Sequence, residues 1–196
     1  MYICVLGNIG SGKSTLVSRL AEELNIESHM ENADGNPLFE SYYSEPRRWT
    51  YCFHELMLSH RFSSHCLAGV NGGVLDRTLW ETDIFANYSN EPFRMNAEEL
   101  AKYKLKSADL KNILSRVGLI IYLETDVENL LSRISQRGRE YEREIDEKFL
   151  INLSKGYSKL TETLINEGQN IHSLNTNNLK ADEVLTKALE IINTSY

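Results

Sequence analysis

The sequence predicts an α/β fold, with a parallel sheet sandwiched between helices in three layers. Three observations predict it. Five short apolar runs read as strands: Tyr2–Leu6, Ile26–Met30, Gly73–Leu75, Leu119–Leu123 and Asn170–Leu174. Amphipathic helical stripes fall between them, and strands that alternate with helices favour a parallel sheet covered on both faces. A glycine-rich turn joins the first run to the first stripe, where such sheets bind ligands beyond the carboxyl ends of their strands.

Each element has a local reason. Leu16, Leu20 and Leu24 recur every four residues and mark one face of a helix after the first strand. Asp126 is placed to cap a helix bearing Val127, Leu130, Leu131 and Ile134, with Gly138 near its end. Ile145, Phe149, Leu153, Tyr157, Leu160 and Leu164 form a longer stripe, closed by Gly168. The stretches 47–69 and 97–115 also carry helical patterns. Ala181, Val184, Leu185, Ala188 and Ile192 define a last helix.

Composition narrows the function. The 196 residues fit one domain. With 41% hydrophobic and 25% charged residues the chain is of ordinary globular make-up, which argues against disorder or a disulfide scaffold. A net charge of −7 disfavours nucleic acid as the main partner, because backbone phosphates need a basic stripe. The longest apolar run, Val117 to Leu123, is far short of the ~20 residues of a membrane helix. The start, MYICVLGNIG, lacks the basic and apolar regions of a signal peptide. Cys4, Cys52 and Cys66 are odd in number and have no CxxC spacing, so reduced thiols and a cytoplasmic location are expected.

Gly7, Asn8, Ile9, Gly10, Ser11, Gly12, Lys13 and Ser14 match G-x-x-x-x-G-K-[ST] at every fixed position, between a strand and a helix. Glycines permit the turn and bring backbone N–H groups to a phosphate. The helix N-terminus favours the anion. Lys13, on what reads as a solvent-facing loop, places a cation on the β/γ-phosphates, and Ser14 can ligate Mg²⁺. A nucleoside triphosphate is therefore expected.

Other polar landmarks carry two readings each. Asp76, at the end of the third run, can hold Mg²⁺ beside Arg77, or the pair can be a surface ion pair at a turn. Glu31 ends the second run, where a carboxylate can accept a proton from an attacking hydroxyl or simply be solvated. Arg133, Arg137, Arg139 and Arg143 suit a flap that closes on phosphates. The interleaved Glu140, Glu142 and Glu144 equally suit a solvated face. Tyr43, Trp49, Phe53, His54 and Arg61 suit either core packing or a pocket.

Together these segments resemble the deoxynucleoside kinase family. GNIGSGKST, from Gly7 to Thr15, looks like its phosphate loop. Glu31 followed by NPLFESYYSEPRRW looks like its catalytic glutamate and the segment after it. Leu75-Asp76-Arg77-Thr78 looks like its E/D-R-S/T motif, and Arg137-Gly138-Arg139-Glu140-Tyr141-Glu142 looks like its lid. The resemblance runs from residue 1 to about the end of the lid helix. It implies a single phosphate-loop kinase domain over 1–196, a five-stranded parallel sheet, a lid at about 133–144 and a homodimer.

The resemblance also implies ATP as donor, Mg²⁺ as cofactor and the 5′-hydroxyl of a deoxynucleoside as acceptor. It implies that Glu31 takes the hydroxyl proton, that Arg77 holds Glu31 and the moving phosphoryl, and that Ser14 and Asp76 serve Mg²⁺. Tyr43 and Glu142 fall where the family holds the sugar 3′-hydroxyl. Phe53 and Phe85 are placed to stack on the base, and Arg137 and Arg139 to close over the phosphates. The chain departs from the family pattern at three positions. Asn32 stands where the family has Pro, and His54 where it has a base-reading Gln. Thr82 stands where purine-type members have Asp, with Glu81 and Asp83 as the nearby acids. The base is then read by His54, or by Arg61 with Glu81 or Asp83. A nucleoside monophosphate kinase is the alternative, with Arg47, Arg48 and Arg61 binding an acceptor phosphate. A nucleotide switch is a third reading, although the guanine signature N-K-x-D is missing.

Overall fold

The computed structural model describes every residue except 1, 34, 89–91, 115, 143–144 and 196. Arg143 and Glu144 of the arginine-rich stretch therefore lie outside the described residues. The sheet has five parallel strands, β1 (Tyr2–Gly7), β2 (Ser28–His29), β3 (Gly73–Asp76), β4 (Leu119–Glu124) and β5 (Ile171–Asn175). Their spatial order is β2-β3-β1-β4-β5. The chain reaches one edge through β2 and the other through β4 and β5. This divergence opens a crevice beyond the carboxyl ends of the central strands.

β1 is buried at every residue, as a central parallel strand must be when helices cover both its faces. Its alternate side chains feed two cores. Ile3 and Val5 pack with Leu16, Val17 and Leu20 of α1 (Lys13–Leu24) and with Ala188 and Ile192 of α8 (Ala181–Ser195). Cys4 and Leu6 pack with Leu153 and Tyr157 of α7 (Glu147–Asn166). Each fully buried Leu or Ile contributes roughly 1.5–3 kcal/mol of transfer free energy. α3 (Pro46–Asn71) and α5 (Ala97–Asn112) share a third cluster around Leu58 and Tyr103. Among the described residues no helix is long and apolar enough to cross a membrane.

Several local expectations are corrected. β2 shrinks from the expected Ile26–Met30 to two residues, because it is an edge strand paired only with β3. Asp126 precedes α6 (Val127–Arg137) as expected, but its side chain makes no cap hydrogen bond. Ile145 lies ahead of α7, which starts at Glu147 after Asp146 accepts from the Lys148 N–H at 3.0 Å. Two short helices, α2 (Phe39–Ser44) and α4 (Thr82–Tyr88), are not foreseen by periodicity. They are shorter than the ~11-residue window over which a helical repeat can be read.

Candidate active site

The phosphate loop sits between β1 and α1. Gly12 enters the helix at φ +96°, a backbone region that side chains avoid. Gly7 meets the Leu123 carbonyl so closely that a Cβ would lie 2.9 Å from it. The loop is anchored from two sides. Asn8 donates to the Leu150 carbonyl at 3.0 Å and to Ser154 at 2.8 Å. Arg133 donates to the Ser11 carbonyl at 3.2 Å and to the Thr176 carbonyl at 2.7 Å. Arg133 is thus a strut of the loop and not an arginine of the flap, because it lies on the inner face of α6.

Lys13 is buried, not solvent-facing: the loop wraps its ammonium, which donates to the Asn8 carbonyl at 2.8 Å. Burial, followed by the charge of Arg77, pushes its pKa down to about 7. Asn8, Ser11 and Gly12 of the loop and Thr15 in the first turn of α1 do not line the cavity, whereas Ile9, Gly10, Lys13 and Ser14 line it.

A cavity of about 630 Å³ opens in the crevice. Glu31 lies on its wall, after β2. One oxygen accepts from Arg61 Nε at 2.7 Å and from Arg61 Nη2, and the other pairs with Arg77 Nε. Burial alone would raise the Glu31 pKa. The two guanidiniums, Arg61 first, outweigh burial and hold the carboxyl below its usual range. Arg77 adopts φ +75°, a strained conformation for a non-glycine residue that costs on the order of 1–3 kcal/mol. Asp76 and Ser14 are hydrogen-bonded to each other at the cavity edge, and Asp76 Oδ1 is buried with no partner among the described residues.

The aromatic and lid residues divide into two groups. His54, Phe53 and Phe85 line the inner wall with Tyr42 and Tyr103. His54 Nε2 is buried and has no hydrogen-bond partner among the described residues. Burial, then Arg61, lowers the His54 pKa to about 4, so the imidazole is neutral. Phe53 has one face stacked on Tyr42, centroids 4.1 Å apart. The ring of Phe85 lies under the guanidiniums of Arg77 and Arg61, at 4.7 and 5.6 Å. At the outer wall Glu142 takes a bidentate pair from Arg137, and Arg139 lies 3.7 Å from Glu142. Tyr141 packs against Phe39 and Tyr43 of α2, at 4.9 and 5.7 Å. Tyr42, Phe39, Tyr141 and Tyr103 are lining residues that sequence reasoning missed. The Tyr42-Tyr43 doublet was the one available signal.

Two expected base readers are excluded. Glu81 is fully buried behind Arg77, where its carboxylate caps the Thr78 N–H at 2.6 Å. Asp83 points the other way, to Lys111 and to Ser107 at 2.9 Å. Neither lines the cavity. Arg61 is held by Glu31. Arg47 and Arg48 are exposed and outside the cavity, so they offer no seat for an acceptor phosphate.

A phosphate loop facing a carboxylate fixed by two arginines defines a nucleotide-dependent phosphotransferase that acts on a hydroxyl. The family model for deoxynucleoside kinases matches residues 3–193. The chain is 35% identical over 145 residues to a deoxyadenosine/deoxycytidine kinase of Bacillus subtilis, covering 71% of this chain and 67% of the relative. It is 27% identical over 193 residues to a deoxyguanosine kinase of the same organism, covering 95% and 91%. A solved deoxyadenosine kinase from M. mycoides with bound dCTP superposes with a TM-score of 0.85 at 24% identity, covering 99% of this chain and all of the other. The chain belongs to the deoxynucleoside kinase family. It is an enzyme that phosphorylates a deoxynucleoside at the expense of ATP.

Proposed function

We propose that Glu31 is the general base of this transfer. The carrying observation is the carboxylate pinned by Arg61 and Arg77 on the wall of one cavity that also holds Lys13 and Asp76. The pinned oxygens can take the proton of the sugar 5′-hydroxyl as its oxygen bonds to the γ-phosphorus. The bond from that phosphorus to the β,γ-bridging oxygen breaks, leaving ADP and the deoxynucleoside monophosphate. Arg77 and Lys13 face the charge that spreads over the phosphoryl oxygens. Arg137 and Arg139 close the donor side. Tyr43 and Glu142 stand at the outer wall for the sugar 3′-hydroxyl.

Ser14 and Asp76 fit Mg²⁺. They offer hard oxygen donors, one of them the buried and unpartnered Oδ1, and Mg²⁺ typically takes one or two protein oxygens beside phosphates and water. Bound there, Mg²⁺ supplies charge neutralisation at the β- and γ-phosphates. The deciding experiment measures ADP formation from ATP with four deoxynucleosides and four deoxynucleoside monophosphates. Turnover with the nucleosides supports the reading. Turnover confined to the monophosphates overturns it.

His54 reads the base edge in this scheme. Its neutral ring offers one nitrogen to the cavity, a donor or an acceptor according to tautomer, where an amide offers both together. His54→Gln is expected to change the kcat/KM ratios among the four deoxynucleosides by about tenfold, the worth of one hydrogen bond to a buried group. Unchanged ratios would remove His54 from recognition.

The chain acts as one domain and forms a homodimer. From Cys52 to Asn71 no exposed position of α3 is charged, and Leu56, Leu67 and Val70 are exposed there, with Leu105 exposed on α5. Sedimentation is expected to give twice the chain mass, and Leu67→Glu to give a monomer. A monomeric wild type would reject the dimer. Cytosolic residence is supported by the three cysteines, all unpaired.

A further inference from the structure

Glu81 looks like a base reader in the sequence but is fully buried outside the cavity. Its surroundings give it a different task. Tyr157 donates to Glu81 Oε1 at 2.7 Å, and Arg77 Nη1 lies 3.3 Å from the same oxygen. The Tyr157 hydroxyl in turn accepts from Arg77 Nη1 at 2.9 Å. The Gly7 N–H of the phosphate loop points at Glu81 Oε1 from 3.4 Å. Arg77 is therefore held at two corners. Nε pairs with Glu31, while Nη1 is gripped by Glu81 and Tyr157. Its positive φ leaves the backbone strained, so side-chain contacts must keep the guanidinium in place. Tyr157 is itself fixed, fully buried on α7 and stacked on Tyr122 at 5.9 Å.

We propose that Glu81 and Tyr157 are positioning residues for phosphoryl transfer. They clamp Nη1 of Arg77 so that the rest of the guanidinium stays aimed at Glu31 and the moving phosphoryl. Through Gly7 the same clamp keeps Arg77 in register with the phosphate loop. Arg77 thus bridges two carboxylates, Glu31 on the cavity wall and Glu81 behind it, while Arg61 shares Glu31. The proposal rests on Glu31 being the base. Retained activity in Glu31→Gln would break that assignment, whereas Tyr157→Phe tests the clamp in an enzyme whose base is intact.

Tyr157→Phe removes one hydroxyl and keeps the ring, its stacking and every charge. It is expected to lower kcat about tenfold, as loss of a hydrogen bond to a charged group does, while KM for both substrates stays within about twofold. Loosening Arg77 weakens its hold on Glu31, so the acid limb of the pH profile of kcat/KM moves to higher pH. Tyr122→Phe trims the neighbouring ring in the same stack and is expected to change neither quantity. Glu81→Gln is expected to lower kcat further. An amide whose oxygen stays on the Thr78 N–H turns its NH₂ toward Arg77. Should Glu81→Gln fail to fold, Tyr157→Phe alone decides. A folded Tyr157→Phe enzyme with wild-type kcat and an unmoved acid limb overturns the proposal. So does a lowered melting temperature with kcat per folded molecule unchanged, which would mark a purely structural pair.

Discussion

Replacing Lys13 with alanine is expected to lower kcat at least about 10²–10³-fold, on the scale of losing one preorganised charge partner of the transition state. The ammonium lies inside the loop on the Asn8 carbonyl and beside Arg77. Phosphoryl transfer moves negative charge onto the oxygens that this loop is shaped to hold. The protein is expected to stay folded. The loop remains anchored by Asn8 on Leu150 and by Arg133 on Ser11. A desolvated ammonium also favours neutrality over charge, so its loss relieves a buried charge. ADP formation and a thermal melt measure both effects. Normal turnover by a folded Lys13→Ala protein would sink the phosphate-loop assignment.

Glu31→Gln is expected to lower kcat by about 10²–10⁴-fold, the usual worth of a general base, with a much smaller effect on nucleoside binding. The amide keeps the shape of the side chain but cannot take the proton. It also leaves Arg61 without its counter-charge and Arg77 with Glu81 alone. Melting is therefore expected to fall as well, by at most the ~3–5 kcal/mol of a broken buried pair. The pH dependence has a definite sign. The folded-state pKa of Glu31 is depressed, so its stabilisation is complete above the unfolded value of ~4.3 and fades as pH falls through the folded value. The stability gap between wild type and Glu31→Gln should close on acidification. A gap that widens in acid would contradict the depressed pKa, and activity within a few-fold of wild type would assign the base elsewhere.

The phosphate loop was legible because its chemistry is local. One unbroken stretch carries the glycines, the lysine and the serine, and the strand before it and helix after it announce themselves by apolar period. The sheet was legible for the same reason, apart from β2, whose edge position leaves only two residues paired. The helices α2 and α4 were not legible, being too short to show a period. Their absence from the reading hid Phe39 and Tyr42 and the contact of α2 with Tyr141.

By itself the sequence determined the α/β class, the phosphate loop and the pool of charged residues from which a site could be built. Those properties follow from backbone preference and short repeats, which act over a few neighbouring residues. Beyond the Arg77–Glu31 pair that the resemblance already implied, only the tertiary structure decided which charges meet. Arg61 reaches Glu31, thirty residues away in the chain, instead of a base. Glu81 turns inward to Arg77 and Tyr157, while Asp83, two positions on, turns outward to Lys111. Lys13 becomes a buried cation where its sequence neighbourhood suggested an exposed one. Burial and pairing depend on distances between elements remote in sequence, and those distances are set only when the helices dock on the sheet.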